Sequence, residues 1–232
     1  MNEKPFQIAI DGPVASGKST AARLLADKLG FTYVDTGAMY RAITLIALER
    51  EIDLKNEIAL TELVHELAID VRFPESHERD GRLSTVLIDG RDVSWDIRKT
   101  NINENVHLVA SLPRVREALV VKQQTIAQSR DVVMEGRDIT YVVLPEAQLK
   151  IFLDAQEVVR IERFYLMLRA KNPQTTQSDA ASLLRERDEL DRNREASPLK
   201  IVPGVWHYDT SGKTIEQVVD EISNRVTEMR AA

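Results

Sequence analysis

Between Ile8 and Thr20 the chain reads IAIDGPVASGKST, and these residue types could hold a polyphosphate. Gly12-Pro13-Val14-Ala15-Ser16-Gly17-Lys18-Ser19 fits G-x-x-x-x-G-K-S/T at every fixed position. Glycines let consecutive backbone N–H groups turn inward as an anion nest, and a helix starting there adds its positive end. Lys18 would reach the β- and γ-phosphates, and the Ser19 hydroxyl would face a magnesium ion. The motif demands a strand before it and a helix after it. Apolar Ile8, Ala9 and Ile10 supply the strand, and Ala22, Leu25, Ala26 and Leu29 recur at helical steps. The stretch therefore predicts a nucleoside-triphosphate site over Gly12 to Thr20, which a glycine-rich turn matching by chance would not explain.

A triphosphate site alone does not separate kinases from NTP-driven switches or motors. The arginine supply decides. Arg41, Arg116, Arg137, Arg187 and Arg194 fall at predicted strand ends, helix starts or in the charged run Arg185–Glu195. Moving a phosphoryl group between two anions needs cations to offset repulsion and transition-state charge, with little covalent help. The plain alternative for the charged run is a solvated face laced with i,i+4 pairs. Asp138 closes Glu135-Gly136-Arg137-Asp138 at the end of a buried strand and could serve near the acceptor. The similar Gly90-Arg91-Asp92 follows Ile88-Asp89, a hairpin signal, and reads as turn chemistry. No apolar run ending in Asp beside a hydrolytic base stands out. His65-Glu66 lacks the second histidine of a zinc-protease helix.

The elements that must position these groups can be read from periodicity. Phe31–Asp35 reads as a second strand, after which Thr36 caps a helix from Gly37, making Thr36, Tyr40 and Arg41 site candidates. A modest helix covers Ile58–Leu67. From Ile69 to Asn101 short alternating runs separated by polar turns such as Glu78–Arg82 indicate a small antiparallel sheet inserted into the main domain. Helix returns from Asn103 to Ser129 with Pro113 at a start; Arg114 and Arg116 in that first turn oppose the helix dipole, a hint of function. Strands at Asp131–Met134, Lys150–Asp154 and Val205–Asp209 alternate with helices at Glu157–Lys171, Gln177–Glu195 and Thr214–Met229. This is an α/β protein whose core is a five-stranded parallel sheet flanked by helices. The helices on either side of Asn172-Pro173 would form a lid that keeps water from the reacting phosphates.

The 232 residues suit one sizeable domain: a core of 1–68, 102–154 and 197–232, an insertion of 69–101 and a lid of 155–196. A net charge of −6 argues against a nucleic-acid partner, and the absence of cysteine excludes disulfides and thiolate chemistry. No signal peptide or membrane span is expected, so the default is a cytoplasmic protein. A monomer is expected, since nothing marks an exposed apolar seam.

Taken together, Ile10–Thr20, Asp35–Arg41, Pro113–Glu117, Gly136–Asp138, Arg187-Asp188, Asp191–Arg194 and Ser197-Pro198-Leu199 resemble the bacterial cytidylate kinases. These are P-loop nucleoside monophosphate kinases that make CDP from CMP and ATP, and the resemblance covers nearly the whole chain. It implies ATP as co-substrate with Mg²⁺, and CMP or dCMP as acceptor. The catalytic set it implies is Lys18, Arg137, Asp138, Arg187 and Arg194. Gly12 to Thr20 would bind ATP with the lid residues Arg160 and Arg163, and Ser19 would touch a metal held mainly by phosphates and water. Arg41, Arg137 and Arg194 match arginines around the monophosphate, Arg187 and Asp191 match residues near the ribose, and Thr36, Arg116 and Asp138 match positions that recognise cytosine. Three places depart from the family pattern. His107 stands where a base-contacting serine is usual. Glu135–Tyr141 replaces Asp-Gly-Arg-Asp with a following Gly-Thr. Phe164 takes the place of the second of two adjacent lid arginines.

Overall fold

In a computed structural model of the chain, residues 4–78 and 80–231 are described. Arg79, within the polar turn read at Glu78–Arg82, lies outside the described residues, as do the first three residues of the N-terminal stretch and Ala232. In chain order the elements are β1 (Gln7–Asp11), α1 (Lys18–Leu29), β2 (Thr32–Asp35), α2 (Thr36–Glu49), α3 (Glu57–Glu66), β3 (Ile69–Arg72), β4 (Thr85–Ile88) and β5 (Arg91–Asp92). They continue with α4 (Thr100–Ala110), α5 (Pro113–Ser129), β6 (Val132–Gly136), β7 (Leu149–Asp154), α6 (Glu157–Arg169), α7 (Gln177–Asn193), β8 (Trp206–Asp209) and α8 (Ile215–Ala231). A five-stranded sheet has the order β2-β6-β1-β7-β8, and β3-β4-β5 form a separate three-stranded sheet. β1 and β6 are buried along their whole length, which is why they read as unbroken apolar runs closed by a carboxylate or glycine.

The chain divides into two compact units. One comprises the residues up to Gln7 with Gly30–Met134, and the other Ile8–Leu29 with the chain from Glu135 onward. In the first, Tyr33, Met39, Ile43, Leu60, Leu67, Ile97, Ile102 and Leu119 are fully buried. Removing their apolar area from water is the main favourable term, at about 25 cal/mol per Å². α3 is capped by Asn56, whose side chain accepts from Ala59 N. The small sheet is antiparallel, with Ile69 opposite Ile88 and Leu87 opposite Asp92. Its hairpin turns at Asp89 (φ 50°) and Gly90 (φ 82°), the two left-handed positions that an Asp-Gly turn supplies. Arg91 pairs with Glu49 and Asp92 with Arg82, so this Gly-Arg-Asp copy is structural, as read.

In the second unit β1 and β7 run parallel with Ile10 beside Ile151, and β7 and β8 with Leu153 beside Tyr208. α7 starts with a capping box in which Thr176 and Asp179 bond reciprocally. Thr214 and Gln217 exchange the same kind of bonds at the start of α8. Phe164 packs with Ala180 and Leu184 in a small cluster holding α6 to α7.

Three details differ from the sequence reading. The cap of α2 is Asp35, whose carboxylate accepts from Ala38 N at 3.1 Å, so Thr36 is already helical. The helical stretch from Asn103 is two helices, parted at Ser111-Leu112 because Pro113 disfavours helix in the residue before it. α7 stops at Asn193, where Arg194 turns extended and Ser197 adopts φ 53°. The surface also carries exposed apolar side chains: Val158, Leu166 and Met167 of α6 and Leu183 and Leu190 of α7 are all about half exposed or more. Among the described residues no helix is long and apolar enough to cross a membrane.

Candidate active site

The loop between β1 and α1 is shaped by close approach. A Cβ on Gly12 would lie 2.1 Å from the carbonyl oxygen of Leu153, so no side chain fits there. Ala15 takes the left-handed φ of 59°, a strained value for alanine of the kind found where a loop is shaped for a ligand. Lys18 is nearly buried and donates to the carbonyl of Pro13 at 3.2 Å. Burial, reinforced by the nearby Arg137 cation, pulls its ammonium down to about 8 despite Glu135 and Asp191. The hydroxyl of Ser16 is buried and makes no hydrogen bond among the described residues. Such a donor, beside a strained loop at a helix N-terminus, fits a phosphate oxygen.

Ser19 Oγ donates to Glu135 Oε1 at 2.7 Å. This pair was not read from the sequence, although its signal was present: the apolar run Val132–Met134 ends in a carboxylate. A hydroxyl and a carboxylate together are hard oxygen ligands of the kind Mg²⁺ takes one or two of, beside phosphates and water. Among the described residues no group of three or more His, Cys, Asp or Glu side chains that could hold a metal ion occurs.

Beyond β6 lies the strongest charge cluster. Arg137 Nε is 2.5 Å from Asp191 Oδ2, and Arg137 also donates to the carbonyl of Gly136. Burial opposes the charge of Asp191, yet Arg137, Arg194 and Lys18 hold its carboxyl below the usual range. Burial and the neighbouring Arg137 press Arg187 down. Arg194 Nη2 stands 3.9 Å from Asp138 Oδ1, and its Nε donates to Ser197 O at 2.6 Å. Lys18, Arg137, Asp138, Arg187, Asp191 and Arg194 are thus gathered in one unit.

A second carboxylate went unread. Asp11, fully buried at the end of β1, accepts from Ile139 N, Thr140 N and Thr140 Oγ1 at 2.8, 2.8 and 2.6 Å. Burial outweighs these bonds and pushes its carboxyl up to about 6. The bonds hold a single π-helical turn, Ile139–Val143, directly after Asp138. Such a turn is uncommon and tends to occur at functional sites.

Arg160 and Arg163 approach the loop through its carbonyl groups. Arg160 donates to Val14 O at 3.3 Å and lies 2.7 Å from Asp188, both side chains nearly buried. Arg163 donates to Ser16 O at 3.4 Å and to the hydroxyl and carbonyl of Thr210. Phe164 is buried in the α6–α7 cluster, so its side chain is a packing group and adds no cation.

The remaining site residues belong to the first unit. Thr36 is buried at the start of α2, beside Asp35. Arg41 donates to Asn103 at 3.0 Å, and Arg98 donates to Asp35 at 3.0 Å. Burial would raise Asp35, but Arg98 and Arg41 hold it below the ordinary carboxylate range. Arg116 is buried, donates to Ala110 O at 2.9 Å and lies 5.1 Å over the Tyr40 ring. The dipole conflict noted at α5 is thereby offset by a carbonyl and an aromatic face. His107 is exposed on α4 and its side chain makes no hydrogen bond among the described residues.

A family model described as cytidylate kinase matches residues 8–228. The chain belongs to the cytidylate kinase family. A cytidylate kinase of Caldanaerobacter subterraneus subsp. tengcongensis is 45% identical, aligned over 93% of this chain and 92% of that one. Another, of Bacillus licheniformis, is 43% identical over 95% of each. Among solved structures, an uncharacterized protein from Eubacterium ventriosum has the same fold, with TM-score 0.52, 12% identity and coverage of 96% and 98%. Membership in the cytidylate kinase family makes this chain a nucleoside monophosphate kinase.

Proposed function

We propose that the chain transfers the γ-phosphoryl group of ATP to CMP, and to dCMP, giving ADP and CDP or dCDP. The observation that carries this reading is the cluster of Lys18 with Arg137, Arg187 and Arg194, held by Asp191 and Asp138 beside a phosphate-binding loop. A CMP phosphate oxygen attacks the γ-phosphorus of ATP while the bond to the β,γ-bridging oxygen breaks and ADP leaves. Lys18 and the backbone N–H groups of the Gly12 to Thr20 loop, Pro13 excepted, hold the donor phosphates. Arg137 and Arg194, with Arg41, neutralise the acceptor phosphate, and Arg187 and Asp191 hold the ribose. Because Lys18, Arg137 and Arg194 are already pinned by carboxylates and carbonyls, little reorganisation is needed as charge shifts.

Mg²⁺, once bound with the triphosphate, supplies charge neutralisation, and Ser19 and Glu135 are the groups that would hold it. Cytosine offers an N4 donor beside N3 and O2 acceptors. Asp138 is assigned to N4, and Arg116 with Thr36 to the acceptor edge. α6 and α7 are assigned as the lid, with Arg160 and Arg163 steering the loop through its carbonyls. The small sheet within 69–101 is assigned as an insertion on the acceptor side. A cytoplasmic location, where both nucleotides are dissolved, goes with this reading. Incubation with ATP, Mg²⁺ and CMP, followed by ³¹P NMR, tests it. The β-phosphate resonance of CDP should grow in step with ADP; release of inorganic phosphate without CDP would refute it.

A further inference from the structure

Two groups of acceptor-side residues come from distant parts of the chain. Arg137 and Asp138 precede the π-turn, whereas Asp191 and Arg194 close α7. One side chain ties the segments that follow them. The Tyr141 hydroxyl, on the π-turn, donates to the carbonyl of Pro198. Lys200 Nζ lies 4.6 Å over the same ring. Pro198 is adjacent to Ser197, whose carbonyl takes the Arg194 guanidinium and whose φ of 53° fixes the bend. Leu199 N donates to Asp191 O at 2.8 Å, so the segment folds back on the end of α7. Behind the turn, Thr140 anchors to Asp11.

From this geometry we infer that Tyr141 is a positioning residue: it clasps segment 194–200 to the turn after Asp138 and so sets Arg194 against Asp138 for the acceptor nucleotide. Cation and ring, and hydroxyl and carbonyl, act on neighbouring residues of one bend, so losing the hydroxyl loosens Arg194 without removing any charge. The inference rests on the acceptor assignment above.

The test compares the parent with Tyr141→Phe, which keeps the ring and removes the hydroxyl, and with Lys200→Ala at an exposed position. With one ordinary hydrogen bond lost, the KM for CMP should rise roughly three- to tenfold in Tyr141→Phe, with the KM for ATP unchanged. Lys200→Ala should move it in the same direction by less. Hydrogen exchange supplies a readout independent of turnover: the Leu199 amide should exchange faster in both variants than in the parent. An unchanged CMP KM with unchanged exchange would overturn the inference, as would equal rises for ATP and CMP. Should Tyr141→Phe fail to fold, the same two measurements on Lys200→Ala decide. A parent that makes no CDP would instead refute the kinase reading, while accelerated exchange would still establish the clasp.

Discussion

At the residue scale, Lys18 gives the sharpest expectation because its proton is weakly held. With its ammonium at about 8 in the free protein, a large part of the population is neutral just above that pH. Incoming phosphates favour the charged form, so ATP binding should draw a proton onto Lys18. Calorimetric titration at pH 8.5 in buffers of different ionisation enthalpy should show net proton uptake, lost in Lys18→Met. Uptake that persists in the variant would place the titrating group elsewhere. Asp138 and Arg137 separate base reading from chemistry. Asp138→Ala should lower kcat/KM for CMP and narrow its advantage over UMP, by about 1–3 kcal/mol for one lost donor–acceptor match. Arg137→Ala should cut kcat by about a hundredfold or more for any acceptor, as loss of a preorganised charge contact does. Equal, small effects from both would contradict the assignments. Lys18, Arg137 and Asp138 were legible because each lies in a short contiguous motif. Glu135 showed only as the carboxylate that ends an apolar run, because its partner Ser19 is 116 positions away and only folding reveals the bond. Asp35 was missed as the α2 cap because Thr36, beside it, has equally good capping chemistry.

At the scale of elements, strands β1, β6 and β7 were readable because burial on both faces demands continuous apolar runs, and the helices because their apolar positions repeat at three and four. The π-turn at Ile139–Val143 was not readable, since its cause is the Asp11 carboxylate from another strand. The join of α6 and α7 to the loop likewise depends on a distant pairing. Arg160 and Asp188 form a nearly buried ion pair, and Arg160 also holds Val14 O. Removing one partner of such a pair leaves an uncompensated charge and costs about 3–5 kcal/mol. Asp188→Ala should therefore raise hydrogen exchange throughout α6 and α7 and raise the KM for ATP more than that for CMP. A variant with parental exchange in both helices would show that the pair does not hold them.

For the whole molecule, the acidic balance of −6 coexists with a cluster of cations because Arg137 and Arg194 are held by carboxylates of their own unit. Fold class and the two sheets followed from the alternation of patterns along the chain. Surface character did not: the exposed apolar residues of α6 and α7 share sequence windows with buried ones, and only the packing of Phe164, Ala180 and Leu184 shows which side is covered. Substrate choice is where all scales converge, since the loop alone specifies only a triphosphate. The decisive measurement is a coupled ADP-release assay with CMP, dCMP, UMP, AMP and GMP as acceptors at fixed ATP and Mg²⁺. The account predicts the highest kcat/KM for CMP, with dCMP next and the purine nucleotides far below; robust turnover confined to AMP or UMP would contradict it.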